Sequence, residues 1–191
     1  MSIHWVLMGD LEQPGESDAQ LMRRVAGGDM SALTQLVHRH QDVVRRLAYR
    51  TTGRWDVADD IAQETFLRVY RAAGTYHPSA AFRTWLYRIV VNLCLDRARA
   101  ARPIPLTEVV ESGTSPAADQ ALIQQERVRA IQSAIAALPE RQRMAVLLHR
   151  FENFTHGQIA DATGWSESAV ESLLSRAYET LRQKLKSWVA V

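Results

Sequence analysis

The chain has 191 residues, 23 Lys and Arg against 21 Asp and Glu, and a 47% hydrophobic content, which suits one or two small packed domains. No run of about 20 apolar residues occurs, excluding a helix inserted across a membrane, and a lone Cys94 excludes an internal disulfide and a cysteine-rich zinc site. The net charge of +2 hides its distribution: residues 1–18 hold four acids and no Lys or Arg, 19–102 fourteen Arg against seven acids, 103–125 three acids alone, and 126–191 nine basic against seven acidic side chains. A basic block between acidic ones suits a polyanionic partner, although a solvated arginine-rich helical surface accounts for it as well.

The tail, residues 1–17, has a short apolar run without a basic leader or a small-residue cleavage pattern, so it is not read as a signal peptide and a cytoplasmic chain is expected. Asp18 is expected to cap a helix to Ala26, which Gly27 and Gly28 end; Asp29 or Ser31 opens the next, which Gly53 closes. A third helix from about Val57 to Ala73 places Ala58, Ile61, Ala62, Thr65, Phe66, Val69 and Ala73 on one side, and leaves Asp59, Asp60, Gln63, Glu64, Arg68 and Arg71 outward. The loop GTYHPSA interrupts the pattern. From Phe82 a long helix resumes, with Phe82, Leu86, Ile89, Val90 and Leu93 inward and Arg83, Arg88, Arg97, Arg99 and Arg102 outside. Trp85 and Cys94 read as packing residues.

Residues 103–119 hold two further prolines beyond Pro103, a glycine and several small polar residues, the composition of a flexible linker. Beyond it, Pro139 opens a helix carrying Arg141 and Arg143 near its start. Thr155 with Gln158 three residues on forms a capping-box signal, Ile159 and Ala160 supply an inner face, and Gly164 can take the left-handed conformation that stops a short helix. Ser166 caps a second helix, whose Val170, Leu173, Leu174, Ala177, Leu181 and Leu185 recur at helical spacing. Glu171, Ser172, Ser175, Arg176, Glu179 and Arg182 then face out. This is a helix-turn-helix pattern, and it points to duplex DNA. The fold class is all-α: two small helical domains joined by a flexible linker, the C-terminal one containing the helix-turn-helix.

Nothing in the chain reads as catalytic. There is no phosphate-binding glycine loop and no HExxH, and the histidines are scattered without partners at ligand spacing, so no metal site and no cofactor are expected. Two other classes stay open on the residues alone. An autonomous helix-turn-helix transcription regulator would explain the C-terminal motif, and a nucleic-acid-processing enzyme would use Asp56, Asp59, Asp60 and Glu64 as metal ligands.

Three segments in order, DDIAQETFLRVYRA, FRTWLYRIVVNLCLD and LPERQRMAVLL followed by the helix-turn-helix, resemble an extracytoplasmic-function (ECF) sigma factor of the sigma-70 family. Overall likeness also suggests a metal-resistance member of the cobalt and nickel type. The resemblance implies a tail (1–17), sigma domain 2 (18–102), a linker (103–119) and sigma domain 4 (120–191), together forming an initiation subunit of bacterial core RNA polymerase. It implies that Asp60, Gln63 and Glu64 meet the β′ clamp helices, and that Tyr76 and His77 stack on unpaired −10 bases while Arg83 and Arg88 neutralise phosphates. It further implies that Glu171, Ser172, Ser175, Arg176 and Arg182 face the −35 element, with Arg141 and Arg143 meeting the DNA backbone or the β flap. By the same analogy the chain would be held inactive by an anti-sigma factor, often membrane-anchored in that family.

Overall fold

The structure, a computed structural model, describes residues 16–77, 81–100 and 118–186. The tail and linker predicted for 1–17 and 103–119 fall almost wholly outside these residues. Among the described residues there are eight α-helices, one 3-10 turn and no strand.

Helix α1 (Asp18–Ala26) is capped by Ser17 rather than Asp18: the Ser17 hydroxyl accepts from Gln20 N while the Gln20 side chain accepts from Ser17 N. Asp18 has a different task, pairing with Arg39 at 2.9 Å and His40 at 2.9 Å across to the next helix. Helix α2 (Met30–Thr52) starts at Asp29, whose carboxylate accepts from Ser31 N and Ala32 N, and stops at Gly53, left-handed at φ 73°. Helix α3 (Trp55–Ala72) begins two residues before the sequence pattern suggested and runs into a 3-10 turn, Ala73–Thr75. Helix α4 (Phe82–Ala100) completes the first domain, packing on α2 and α3. Leu21, Leu36, Leu47, Ile61, Leu86 and Val90 are buried at its centre.

The second domain is α5 (Ala118–Ala136), α6 (Glu140–Phe151), α7 (His156–Thr163) and α8 (Glu167–Lys184), with α6, α7 and α8 packed pairwise. Both members of the Thr155–Gln158 capping box form, and Gly164 takes φ 72°. Residues that bear a Cβ are strained at that left-handed φ, so glycine is the residue that lets α7 turn into α8 within three residues.

The two domains share one apolar core. Helix α4 lies along α7 and touches α6, and α2 also touches α6. Hence α4 is buried on more than the single stripe expected: Tyr87, Val91, Cys94 and Leu95 are buried in addition to Phe82, Leu86, Val90 and Leu93, while Ile89 is only partly covered. Burial pushes the Cys94 thiol up to about 12, as expected for a packing residue rather than a nucleophile.

Asp29 joins local and tertiary structure, since it caps α2 and also accepts from Arg24 Nη2 at 2.7 Å. The Ser31 hydroxyl, then the Arg24 guanidinium, hold its carboxyl at about 2 in place of 3.8. A depressed folded-state value means the charge stabilises the fold above the unfolded value and stops doing so as pH falls through the folded one. Asn caps about as well as Asp, so Asp29→Asn isolates the charge. Its melting temperature is expected below wild type near neutral pH, with the gap closing as pH drops from 3.8 to about 2; a pH-independent gap in scanning calorimetry would remove the charge from the cap's role.

Candidate nucleic-acid and partner interfaces

On α3 the side chains of Asp60 and Gln63 are exposed and Glu64 is half-buried. Glu64 accepts from Arg68 Nε at 2.8 Å one turn on, and that arginine holds its carboxyl below the usual range. Asp59 pairs with Arg45 Nε at 2.5 Å, and Asp56 with Arg54. Glu64, Asp59 and Asp56 are therefore engaged by arginines, and among the described residues no group of three or more His, Cys, Asp or Glu is arranged to hold a metal ion.

Beside them lies a feature the pattern of inward and outward positions missed. Met30, Leu33 and Val37 of α2 and Phe66, Leu67 and Tyr70 of α3 line an apolar groove of about 530 Å³, with Gln41 and Gln63 at its edge. Met30, Leu67 and Tyr70 are 54%, 41% and 44% exposed. Leu67 and Tyr70 stand four and seven residues after Gln63, so they belong to the outward stripe, and two large apolar residues there were the available signal.

The loop after α3 is less open than the sequence suggests. Tyr76 is only partly exposed: its ring packs 4.9 Å from Trp85 and 6.0 Å from Phe82, and among the described residues its buried hydroxyl has no hydrogen-bond partner. It is thus no free stacking platform, because the aromatic cluster that anchors the loop already uses its face. His77 is exposed, with Nδ1 donating to Thr75 O at 2.8 Å. Arg83 and Arg88 turn toward the second domain: Arg83 Nη2 donates to Glu152 O at 2.5 Å, and Arg88 Nη2 to Asp161 O at 2.8 Å.

In the helix-turn-helix, Val170, Leu174 and Ala177 are buried against α6 and α7, which leaves Glu171, Ser172, Ser175, Arg176 and Arg182 on the exposed side of α8. Among the described residues the Arg176 side chain has no hydrogen bond or ion pair, whereas Arg182 is paired with Glu179. Arg141 lays its guanidinium 4.6 Å from the centre of the Trp165 ring, at the turn between α7 and α8. Arg143 does not stand with it. It is buried, its Nη1 donates to Ala136 O at 2.9 Å, and desolvation pulls its guanidinium below the ordinary arginine value. The expected flap or backbone contact of Arg143 is corrected accordingly: this arginine closes the end of α5.

Two basic and apolar helical domains, one carrying a helix-turn-helix and the other an acid-edged groove, match known proteins in the same order. Residues 36–104 match sigma-70 region 2 and residues 128–181 match sigma-70 region 4. The ECF sigma factor SigM of Mycobacterium tuberculosis is 37% identical over 169 residues, covering 88% of this chain and 85% of SigM. The chain belongs to the ECF class of the sigma-70 family. The ECF sigma factor SigW of Bacillus subtilis is 28% identical, over 86% of this chain and 95% of SigW. The structure of CnrH in complex with the cytosolic domain of CnrY superposes with a TM-score of 0.68 at 26% identity, covering 90% of this chain and 99% of CnrH. Sigma factors are transcription initiation factors, and the region 2 match disfavours an autonomous helix-turn-helix regulator, which has no need of that domain.

In this sigma factor Arg143→Ala removes a donor from a helix-end carbonyl and the packed stem of the side chain. Urea unfolding is expected to show a loss of about 1–3 kcal/mol, with promoter DNA affinity of the folded protein unchanged; a selective loss of DNA binding at full stability would return Arg143 to the interface.

Proposed function

We propose that this ECF sigma factor docks its α3 face, through Asp60, Gln63 and Glu64 and the adjoining apolar groove, on the β′ clamp helices of bacterial core RNA polymerase. The observation that carries this reading is the juxtaposition of exposed Asp60 and Gln63 with exposed Leu67 and Tyr70 within the span that matches region 2. Apolar area at the centre supplies affinity, and the charged edge fixes orientation and speeds encounter with a basic partner helix. The same groove suits an apolar helix of an anti-sigma factor, in line with the likeness to CnrH, which was solved with the cytosolic domain of CnrY. One surface serving both partners makes polymerase binding and anti-sigma binding exclusive.

The promoter is read at two places. Helix α8 lies in the major groove of the −35 element, where Arg176, unpaired among the described residues, suits a bidentate contact to guanine, and Ser172 and Ser175 allow close approach. Glu171 suits a cytosine amino group, and Arg182 reaches phosphate once it exchanges Glu179 for it. At the −10 element, exposed His77 stacks on an unpaired base, Tyr76 holds the loop from beneath, and Arg83 and Arg88 neutralise the strand. Both arginines must leave their present carbonyl partners to do so. RNA synthesis remains with the polymerase core, and the sigma factor acts with it in the cytoplasm.

Purified protein mixed with core polymerase and promoter DNA tests the whole reading through defined transcript starts that require both components. Asp60→Arg is expected to abolish core binding while circular dichroism stays at the wild-type level; normal core binding by the folded variant would overturn the β′ assignment. For the −35 contact, Arg176→Ala is expected to reduce discrimination between native and altered −35 sequences by about 1–3 kcal/mol, and equal ratios in both proteins would exclude Arg176 from base readout.

A further inference from the structure

The turn between α6 and α7 is inserted against the first domain. Asn153 takes a left-handed conformation at φ 55°, which is tolerated by asparagine more readily than by most residues, and its two neighbours, Glu152 and Phe154, are 5% and 3% exposed. A nearly buried carboxylate requires compensation, and among the described residues the Glu152 carboxylate finds it in the other domain. The Tyr87 hydroxyl donates to Oε2, Arg83 Nη2 stands 3.5 Å from Oε2 and also donates to the Glu152 backbone oxygen, and Arg50 Nη1 stands 3.9 Å from Oε1. The guanidiniums also cover aromatic rings of this turn, Arg83 at 4.8 Å from the Phe154 centre and Arg50 at 4.3 Å from that of Phe151. One turn along α4, Arg88 donates from Nε at 3.0 Å and Nη2 at 2.8 Å to Asp161 O.

The second domain thus presents to Arg83 and Arg88 a carboxylate and two carbonyl oxygens, an acceptor-only set of the kind a phosphodiester strand offers. We propose that the Arg83–Arg88 surface of α4 is a shared docking site, held by the Glu152 turn of the chain's own second domain in the free protein and by single-stranded promoter DNA in the transcribing one. The inference rests on the reading above that Arg83 and Arg88 meet DNA. Strength is suited to exchange: the Arg83 and Arg50 side chains remain 49% and 30% exposed, so solvent screens their pairing, and on opening Glu152 regains full hydration. The closed arrangement sets a threshold that DNA held at the polymerase must exceed, and it works with no other protein present.

Mutual exclusion is reciprocal: whatever opens the interface favours DNA, and DNA opens the interface. The test uses the full chain with a donor and an acceptor dye at exposed positions of the two domains, Gln35→Cys and Ser133→Cys, while the buried Cys94 stays unlabelled. Single-stranded DNA of mixed sequence at low salt is the second probe. Glu152→Arg, which sets a third cation beside Arg50 and Arg83, is expected to change transfer efficiency toward separated domains and to raise single-strand affinity about tenfold; Glu152→Gln, a milder variant, shifts both in the same direction. Without any change at Glu152, adding the DNA is expected to separate the domains of the labelled protein, a readout that needs no substitution at the interface. Transfer that is indifferent to both DNA and Glu152 overturns the shared site; if Arg83→Ala still weakens DNA binding in that case, the −10 reading stands alone. If neither Arg83→Ala nor Arg88→Ala weakens single-strand binding in the opened Glu152→Arg background, the −10 reading has failed and the shared site falls with it.

Discussion

Helix α4 has to satisfy two neighbours with one short stretch of chain, and much of the rest of the structure is arranged around that constraint. Its Phe82, Leu86 and Val90 complete the core of the first domain, while Tyr87 packs on Phe154 of the second at 4.8 Å between ring centres. A helix buried on two sides leaves few routes to water for its polar groups, so the polar residues on it find partners in protein. Tyr87 illustrates the consequence: burial first, then the hydrogen bond to Glu152, raise its phenol well above the usual value, so it acts as a fixed donor at all ordinary pH.

The two domains differ in how their working surfaces are made. On the first, the α2–α3 groove is apolar with a polar edge, and its lining residues are the same types that fill the core beneath it; what distinguishes Leu67 and Tyr70 is that no described residue covers them. In the docking proposed for it, such a surface would derive affinity from area removed from water, which is non-directional, and specificity from the adjoining Asp60 and Gln63. On the second, α8 separates the two roles by face. Val170, Leu174 and Ala177 hold the helix down, and the outward Glu171, Ser172, Ser175, Arg176 and Arg182 are short or charged, the character that the proposed major-groove contact calls for.

Arginine is the side chain on which these arrangements turn, and its environments differ enough to separate otherwise similar residues. Arg176 is exposed and unpaired among the described residues, Arg182 is held by Glu179, Arg141 lies on Trp165, and Arg143 is buried at the end of α5. All four are arginines on helices of the second domain, two on α6 and two on α8. A planar guanidinium that can stack, fork or cap a carbonyl takes its role from whatever neighbours the fold provides.

Helix starts and stops were legible in the chain because they are set by local chemistry: the Thr155–Gln158 box, Ser166, Gly53 and Gly164 act through backbone groups within a few residues of themselves. So was the outward stripe Asp60, Gln63 and Glu64, which follows from the 3.6-residue period of α3. The Ser17 cap was misplaced by one residue because Asp18 is an equally good capping type, and only its pairing with Arg39 and His40 across to α2 decides between them. The local pattern leaves Tyr76, Arg83, Arg88 and Arg143 outward or free, because it carries no record of distant partners. Their contacts span Phe82 and Trp85, Glu152, Asp161 and Ala136. The sequence by itself determined the all-α class, the order of the two domains, the helix-turn-helix and the family resemblance, since each rests on spacing within segments and on their order along the chain; the tertiary structure alone decided that α4 is shared, that a groove opens beside Gln63, and which arginines are engaged by other described residues, since each depends on residues far apart in the chain meeting in space.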